Sequence, residues 1–216
     1  MQDFLKTFID KAYSYREYRE QIENLLSEGK TTGLRQTEKL VDISKLNIQR
    51  MKRIDKTVTV LPELTGTINN FERNCVWLVI AEAWCGDVAQ NLPVINKIAE
   101  STSCVKLKIV LRDENPELID RYLTNGGQAI PKLICIDSET MEEICTWGPR
   151  PQPAQEMMRE YKANPVTEHS EVLKDIQLWY AHDKGVTVQK EIMKLIQKCG
   201  FKEDIKYKTI ETRKSF

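Results

Sequence analysis

The run Val76-Trp77-Leu78-Val79-Ile80-Ala81, followed at once by Glu82-Ala83-Trp84-Cys85-Gly86-Asp87, decides how this chain folds. Six consecutive apolar residues with no polar alternation read as a strand buried on both faces of a sheet. From about Asp87 to Glu100 the rhythm changes, and Leu92, Ile95, Ile98 and Ala99 form a helical stripe. A buried strand feeding a helix is the opening half of an α/β unit. Cys85 falls at the turn between the two.

Downstream, residues 105–111 read as a second strand, and Asn115-Pro116 opens a helix with proline at a favoured first position. That helix carries Leu118, Ile119, Tyr122 and Leu123 and closes near Asn125-Gly126-Gly127. Residues 132–136 and 143–147 read as a hairpin turning near Asp137-Ser138, and a last helix runs from about Pro153 to Tyr161. Helical crossovers predict that the first three strands are parallel, with the final pair antiparallel. Upstream, Phe4, Leu5, Phe8, Ile9 and Ala12, then Tyr15, Tyr18, Ile22 and Leu25, recur at helical spacing up to the breaks at Gly29 and Gly33. Leu40, Ile43, Leu46, Met51 and Ile54 continue the pattern; the tyrosines read as packing residues. Leu173, Ile176, Trp179 and Tyr180, then Ile192, Leu195 and Ile196, mark helices near the other end. The expected division is a helical extension over 1–56, an α/β domain over 57–162 and a second helical extension over 163–216.

Lysine plus arginine number 32 and aspartate plus glutamate 32, so the 216 residues carry no net charge. That balance gives no electrostatic case for coating nucleic acid or an anionic membrane. The first residues lack the basic and apolar stretches of a secretory signal, and no apolar run approaches the roughly 20 residues of a membrane span. Six cysteines, at 75, 85, 104, 135, 145 and 199, show neither a C-x-x-C pair nor zinc-ligand spacing. They read as reduced thiols, which points to the cytoplasm, and no metal or cofactor is expected.

Trp84-Cys85-Gly86-Asp87, placed after a buried strand and opening a helix, resembles the active-site motif W-C-G-P-C of thioredoxins. Pro93 lies where that family has a helix-kinking proline, and Ile130-Pro131 where it has a cis-proline opposite the active cysteine. Residues 111–115 and 147–150 extend the likeness to a bacterial thioredoxin-like subgroup with W-C-G-D at the site. The resemblance covers about residues 57–162. It implies a thioredoxin-like three-layer α/β fold with a mixed central sheet, to which the helical spacing adds extensions at both ends. Two departures stand out: Val88 replaces the resolving cysteine, and Val79 replaces a buried acid that assists proton transfer. Without the second sulfur, dithiol-disulfide turnover within the motif is excluded.

A cysteine at a helix N-terminus faces the positive end of the dipole, which favours thiolate. Asp87 opposes this: a carboxylate about 6 Å from the sulfur repels a thiolate by about 3 kcal/mol at an effective dielectric of ~20. It could equally exchange the thiol's proton. Glu82 reads as a strand-end acid facing solvent or a proton-handling group, and Lys132 as a solvated lysine or an offset for Asp87. Strand and helix rise place Cys75, Cys104, Cys135 and Cys145 too far from Cys85 for a disulfide, which leaves Cys199 unexcluded. His169 and His182 match no metal spacing, and Arg112 and Arg150 read as salt-bridge partners or an anion-gathering pair.

Two functions follow as expectations. One is a thiol oxidoreductase or mixed-disulfide exchanger using Cys85 and Asp87, shaped by Trp84, Gly86, Ile130 and Pro131, with protein or small thiols and disulfides as partners. The other is a redox-inactive thioredoxin-fold module that holds an extended peptide in a groove between Trp84 and Pro131.

Overall fold

The structure is a computed structural model and describes residues 2–71 and 73–199. Four helices precede the sheet: α1 (Gln2–Ile9), α2 (Tyr15–Ser27), α3 (Glu38–Thr57) and α4 (Pro62–Asn69). Ser14 starts α2 with a capping box, its hydroxyl accepting from the Glu17 amide while the Glu17 carboxylate accepts from the Ser14 amide. Thr37 caps α3 by accepting from the Leu40 amide. Helix α4 was not expected, because Thr65, Gly66 and Thr67 dilute its apolar pattern. It forms around Leu64 and Ile68, one turn apart and both fully buried.

Then come β1 (Cys75–Ala81), α5 (Gly86–Glu100), β2 (Val105–Leu111), α6 (Pro116–Ile119), β3 (Lys132–Asp137), β4 (Glu143–Trp147), α7 (Gln152–Ala163), α8 (His169–Asp183) and α9 (Val186–Cys199). The side chain of Cys199 lies outside the described residues, as does the stretch from 200 to 216.

The sheet runs in the order β2-β1-β3-β4. Strands β1 and β2 are parallel, as expected, with Cys75 opposite Val105 and Ala81 opposite Leu111. Strand β3 is antiparallel to β1, contrary to the expectation of three parallel strands. The expected crossover helix is the single turn α6, too short to carry the chain back along the sheet. The chain therefore stays at the end where β2 stops, and β3 starts with Lys132 beside Ile80. The result is a mixed sheet, with the β3–β4 hairpin at one side.

Every residue of β1 is buried, so both faces of the sheet are covered. In α5 every residue from Asp87 to Ile95 is also buried, so this helix packs on more than one side. The helical regions before and after the sheet explain why. Leu5, Phe8, Tyr18, Ile22, Ile48 and Met51 from α1–α3, with Val188 and Ile192 from α9, join the same core as the sheet. A second, smaller core of Ala154, Met158, Ile176 and Tyr180 binds α7 to α8. Apolar burial on this scale is the main force holding the helices to the sheet.

The end of β4 meets the start of β3 at one tight point. Gly148 has φ +114°, and a Cβ there would lie 2.2 Å from the Pro131 carbonyl oxygen. Gly148→Ala is expected to cost about 2 kcal/mol or more, from both the clash and the disallowed backbone angle. A lower denaturant midpoint with unchanged slope would register it.

Candidate functional site

Strand β1 ends at Ala81, and a short turn brings Cys85 to the N-cap position of α5. The Cys85 amide donates to the Glu82 carbonyl at 3.2 Å, and its own carbonyl accepts from the Ala89 amide at 3.1 Å. Its thiol donates to the Ile130 carbonyl at 3.3 Å, and the Ile130–Pro131 peptide is cis. The three residues thus come together as the resemblance implied.

Of the opposing influences on the thiol, those against the thiolate prevail. Burial pushes the Cys85 thiol up to about 12, and the Asp87 carboxylate adds to the rise. The amides of Val88 and Asp87 and the Arg150 guanidinium pull the other way and are outweighed. The helix N-terminus does favour the thiolate, but desolvation wins. Cys85 is half-buried as a residue, with its sulfur turned inward onto a carbonyl.

Asp87 is itself buried and fully engaged. Its Oδ2 lies 2.6 Å from Arg150 Nη2, and its Oδ1 accepts from the Tyr180 hydroxyl at 2.9 Å. Burial raises its pKa against the opposing pull of Arg150 and Tyr180. Arg150 is therefore the partner of Asp87, and Lys132 is not. Lys132 is buried rather than solvated, donates to the Thr124 hydroxyl at 2.9 Å, and has its pKa lowered by burial.

Glu82 also departs from expectation, being fully buried instead of facing solvent. Its Oε1 accepts from the Asp113 amide at 2.9 Å, and its Oε2 has no partner. Burial lifts its pKa to about 7, against hydrogen bonds from Thr32 and the Asp113 amide. The Tyr18 hydroxyl, buried and likewise unpartnered, feels both Glu82 and Cys85. Tyr18 was read as packing only.

Segments distant in sequence enclose this turn. From the N-terminal side, the Thr32 hydroxyl accepts from the Ala83 amide and Asn47 donates to the Ala83 carbonyl, both at 2.8 Å. Gly33, at φ +84°, packs against the Trp84 indole and Asp113 so closely that a Cβ would fall 2.5 Å from the Asp113 carboxylate. Arg112 covers the Trp84 ring at 4.7 Å and pairs with Asp113. Both sides meet at Gly86, where a Cβ would sit 3.0 Å from the Gln177 amide nitrogen on α8 and 3.7 Å from Arg50 Nη1 on α3. Trp84 is partly buried beneath Arg112, and Ile130 and Pro131 are buried. Sequence reasoning missed Thr32, Asn47, Arg50, Gln177 and the polar role of Tyr180. No spacing rule links residues so far apart along the chain.

Cys75, Cys104 and Cys135 are also free thiols. Cys135 stands opposite both Trp77 and Cys145 in the sheet, and its thiol contacts those of Cys75 and Cys145. Among the described residues, no group of three or more histidine, cysteine or acidic side chains could hold a metal ion, and no helix is long and apolar enough to cross a membrane.

A thiol on the first turn after a central strand, facing the carbonyl that precedes a cis-proline, places the molecule in the thioredoxin-fold class. The chain belongs to the thioredoxin family, whose family model, described as thioredoxin, matches residues 33–162, more than half of its length. That match begins in the loop before α3, whose Thr32–Gly33 turn contacts the cysteine loop. Two solved structures share the architecture. A protein of unknown function from Pseudomonas aeruginosa, 16% identical, aligns over 86% of this chain and 98% of its own with a TM-score of 0.54. An HIV epitope scaffold, also 16% identical, aligns over the same shares with a TM-score of 0.52. At that identity they establish fold alone. Among curated proteins, none matches the chain.

The raised pKa of Glu82 makes a pH prediction. The folded state holds its proton up to about pH 7, whereas an unfolded glutamate releases it near 4.5. Between those values the native state binds more protons than the unfolded state, so this group's contribution to stability falls as pH rises. The full shift corresponds to about 3 kcal/mol. Glu82→Gln, which keeps an acceptor for Asp113, is expected to flatten the decline in unfolding free energy from pH 4.5 to 8. Equal slopes in both proteins would show that Glu82 does not titrate as described.

Proposed function

We propose that this chain is a redox-silent thioredoxin-fold binding protein, in which Cys85 serves as a neutral hydrogen-bond donor and not as a nucleophile. The observation that carries this reading is the thiol itself, donating to the Ile130 carbonyl with its pKa lifted to about 12. At pH 7 that leaves on the order of one thiol in 10⁵ ionised. Val88 in the resolving position agrees with it, as does the enclosure of the loop by Thr32, Asn47, Gln177 and Tyr180. Binding then falls to the surfaces that the flanking helices build around α5.

A monothiol exchanger is the second reading, and one observation favours it. The amides of Val88 and Asp87 and the Arg150 guanidinium all act to stabilise a thiolate at Cys85. Such a protein would attack a mixed disulfide, and a thiol from its protein or small-molecule partner would resolve the bond.

Alkylation of Cys85 as a function of pH, followed by mass spectrometry of the peptide that contains it, separates the two. The binding-protein reading expects half-ionisation well above the ordinary thiol value of about 8.5. Asp87→Asn should lower it by removing the negative charge and leaving Arg150 to act on the sulfur alone. Half-ionisation at or below the ordinary value in the unaltered protein, or disulfide turnover abolished by Cys85→Ser, would sink the redox-silent reading.

A further inference from the structure

Helices α3, α5 and α8 enclose two adjoining hollows, of about 410 and 480 Å³, that share Arg53, Gln90 and Ala181. Together they fall in the size range of small-molecule sites. Arg50 on α3 lines one hollow, Lys184 at the end of α8 lines the other, and Arg53, one helical turn from Arg50, lines both. No aspartate or glutamate lines either hollow. Neighbouring carboxylates are committed elsewhere. Asp55 pairs with Arg19, Asp87 with Arg150, and Asp183 accepts from the Thr187 amide.

The two linings together thus carry three cations and no acid. Arg50 is half-buried, and its Nη1 donates to Asn47 Oδ1 at 2.9 Å, which leaves further N–H groups of its planar fork available. Burial and the neighbouring Arg53 both lower its pKa, so the pair sits at an electrostatic cost that an anion between them would relieve. Gln90 is buried and donates to the Gln177 side-chain oxygen at 2.8 Å, holding the Gln177 amide nitrogen beside Gly86. At the rim, Leu46 is 50% exposed and Leu178 59% exposed, one on α3 and the other on α8. Two exposed leucines flanking a basic hollow suit a ligand with an apolar body as well as a charged head.

We infer that the cleft between α3, α5 and α8 binds a small organic anion, a carboxylate or phosphate ester carrying an apolar group. Arg50, Arg53 and Lys184 hold the head, with bidentate geometry available from the two guanidinium groups. Leu46 and Leu178 cover the body. The inference names a ligand class for the binding-protein reading and rests on it. Its readout does not involve Cys85, so a reactive Cys85 would remove that reading and leave the ligand measurement intact.

The test is calorimetric titration of the full chain, with thiol reductant present and ionic strength held constant. Phenyl phosphate and benzoate are the probes, and benzyl alcohol is the neutral control. Saturable one-to-one binding of at least one anion is expected, with none of the alcohol; which anion binds more tightly identifies the head group. Arg53→Gln with Lys184→Gln, both at exposed positions, should weaken that binding about tenfold or more, or about 1.4 kcal/mol, at an unchanged melting temperature. Leu178→Ser should weaken phenyl phosphate and leave inorganic phosphate unaffected. Absence of saturable anion binding, equal binding of benzyl alcohol, or undiminished affinity in the double variant overturns the inference.

Discussion

The ion pair between Asp87 and Arg150 is the constraint around which this molecule is arranged. Its members come from the first turn of α5 and the loop after β4, and Tyr180 of α8 closes it from a third direction. Two charges this deeply buried gain little net stability from their attraction, because desolvation offsets most of it. Their role is positional. Removing either partner would strand the other charge in a low-dielectric setting, at a cost of about 3–5 kcal/mol. The chain is therefore held to one arrangement in which α8 lies over the start of α5. Asn91 reinforces it by donating to both the Tyr180 hydroxyl and the Asp87 carbonyl at 2.9 Å.

That arrangement decides the chemistry of Cys85. A helix N-terminus contributes about 0.3–1 kcal/mol towards an anion, and up to about 2 in favourable buried geometry. Against it stand the burial imposed by the surrounding segments and a carboxylate two residues away. These act in the same direction and exceed the dipole. Arg150 offsets part of the Asp87 field, but its guanidinium is aimed at the carboxylate and not at the sulfur. Asp87, which helps to lock α8 in place, thus also helps to keep the thiol protonated.

The part of the fold that depends on local pattern was legible. Apolar continuity in β1, helical spacing in α5 and the hairpin of β3 and β4 can each be read without knowledge of distant contacts, and the observed bounds fall within a few residues of the expected ones. The direction of β3 was not legible, because it depends on whether the segment after Pro116 is a full helix or one turn. Leu118, Ile119, Tyr122 and Leu123 have helical spacing, yet the helix stops at Ile119. In the site, Cys85, Ile130 and Pro131 were found by motif. Burial of Glu82 and Lys132 was not found, since a charged residue at a strand end is ordinarily solvated. Only the covering segments, joined to the site through Thr32 and Asn47, make Glu82 interior, and no pattern in 82–87 announces them.

Glu82 and Tyr18 show what this enclosure demands. An ionised carboxylate with one unpartnered oxygen, next to an unpartnered phenol, would carry a large desolvation penalty. A proton held on Glu82 to about pH 7 reduces that penalty, just as the proton on Cys85 avoids a second buried anion. Asp87 has Arg150 against it, and Asp113 has Arg112. Near neutral pH the interior side of the cysteine loop therefore approaches charge balance group by group. Across Gly86, Arg50, Arg53 and Lys184 have no such balance. Among the described residues, no acidic side chain joins these three cations in lining their hollows.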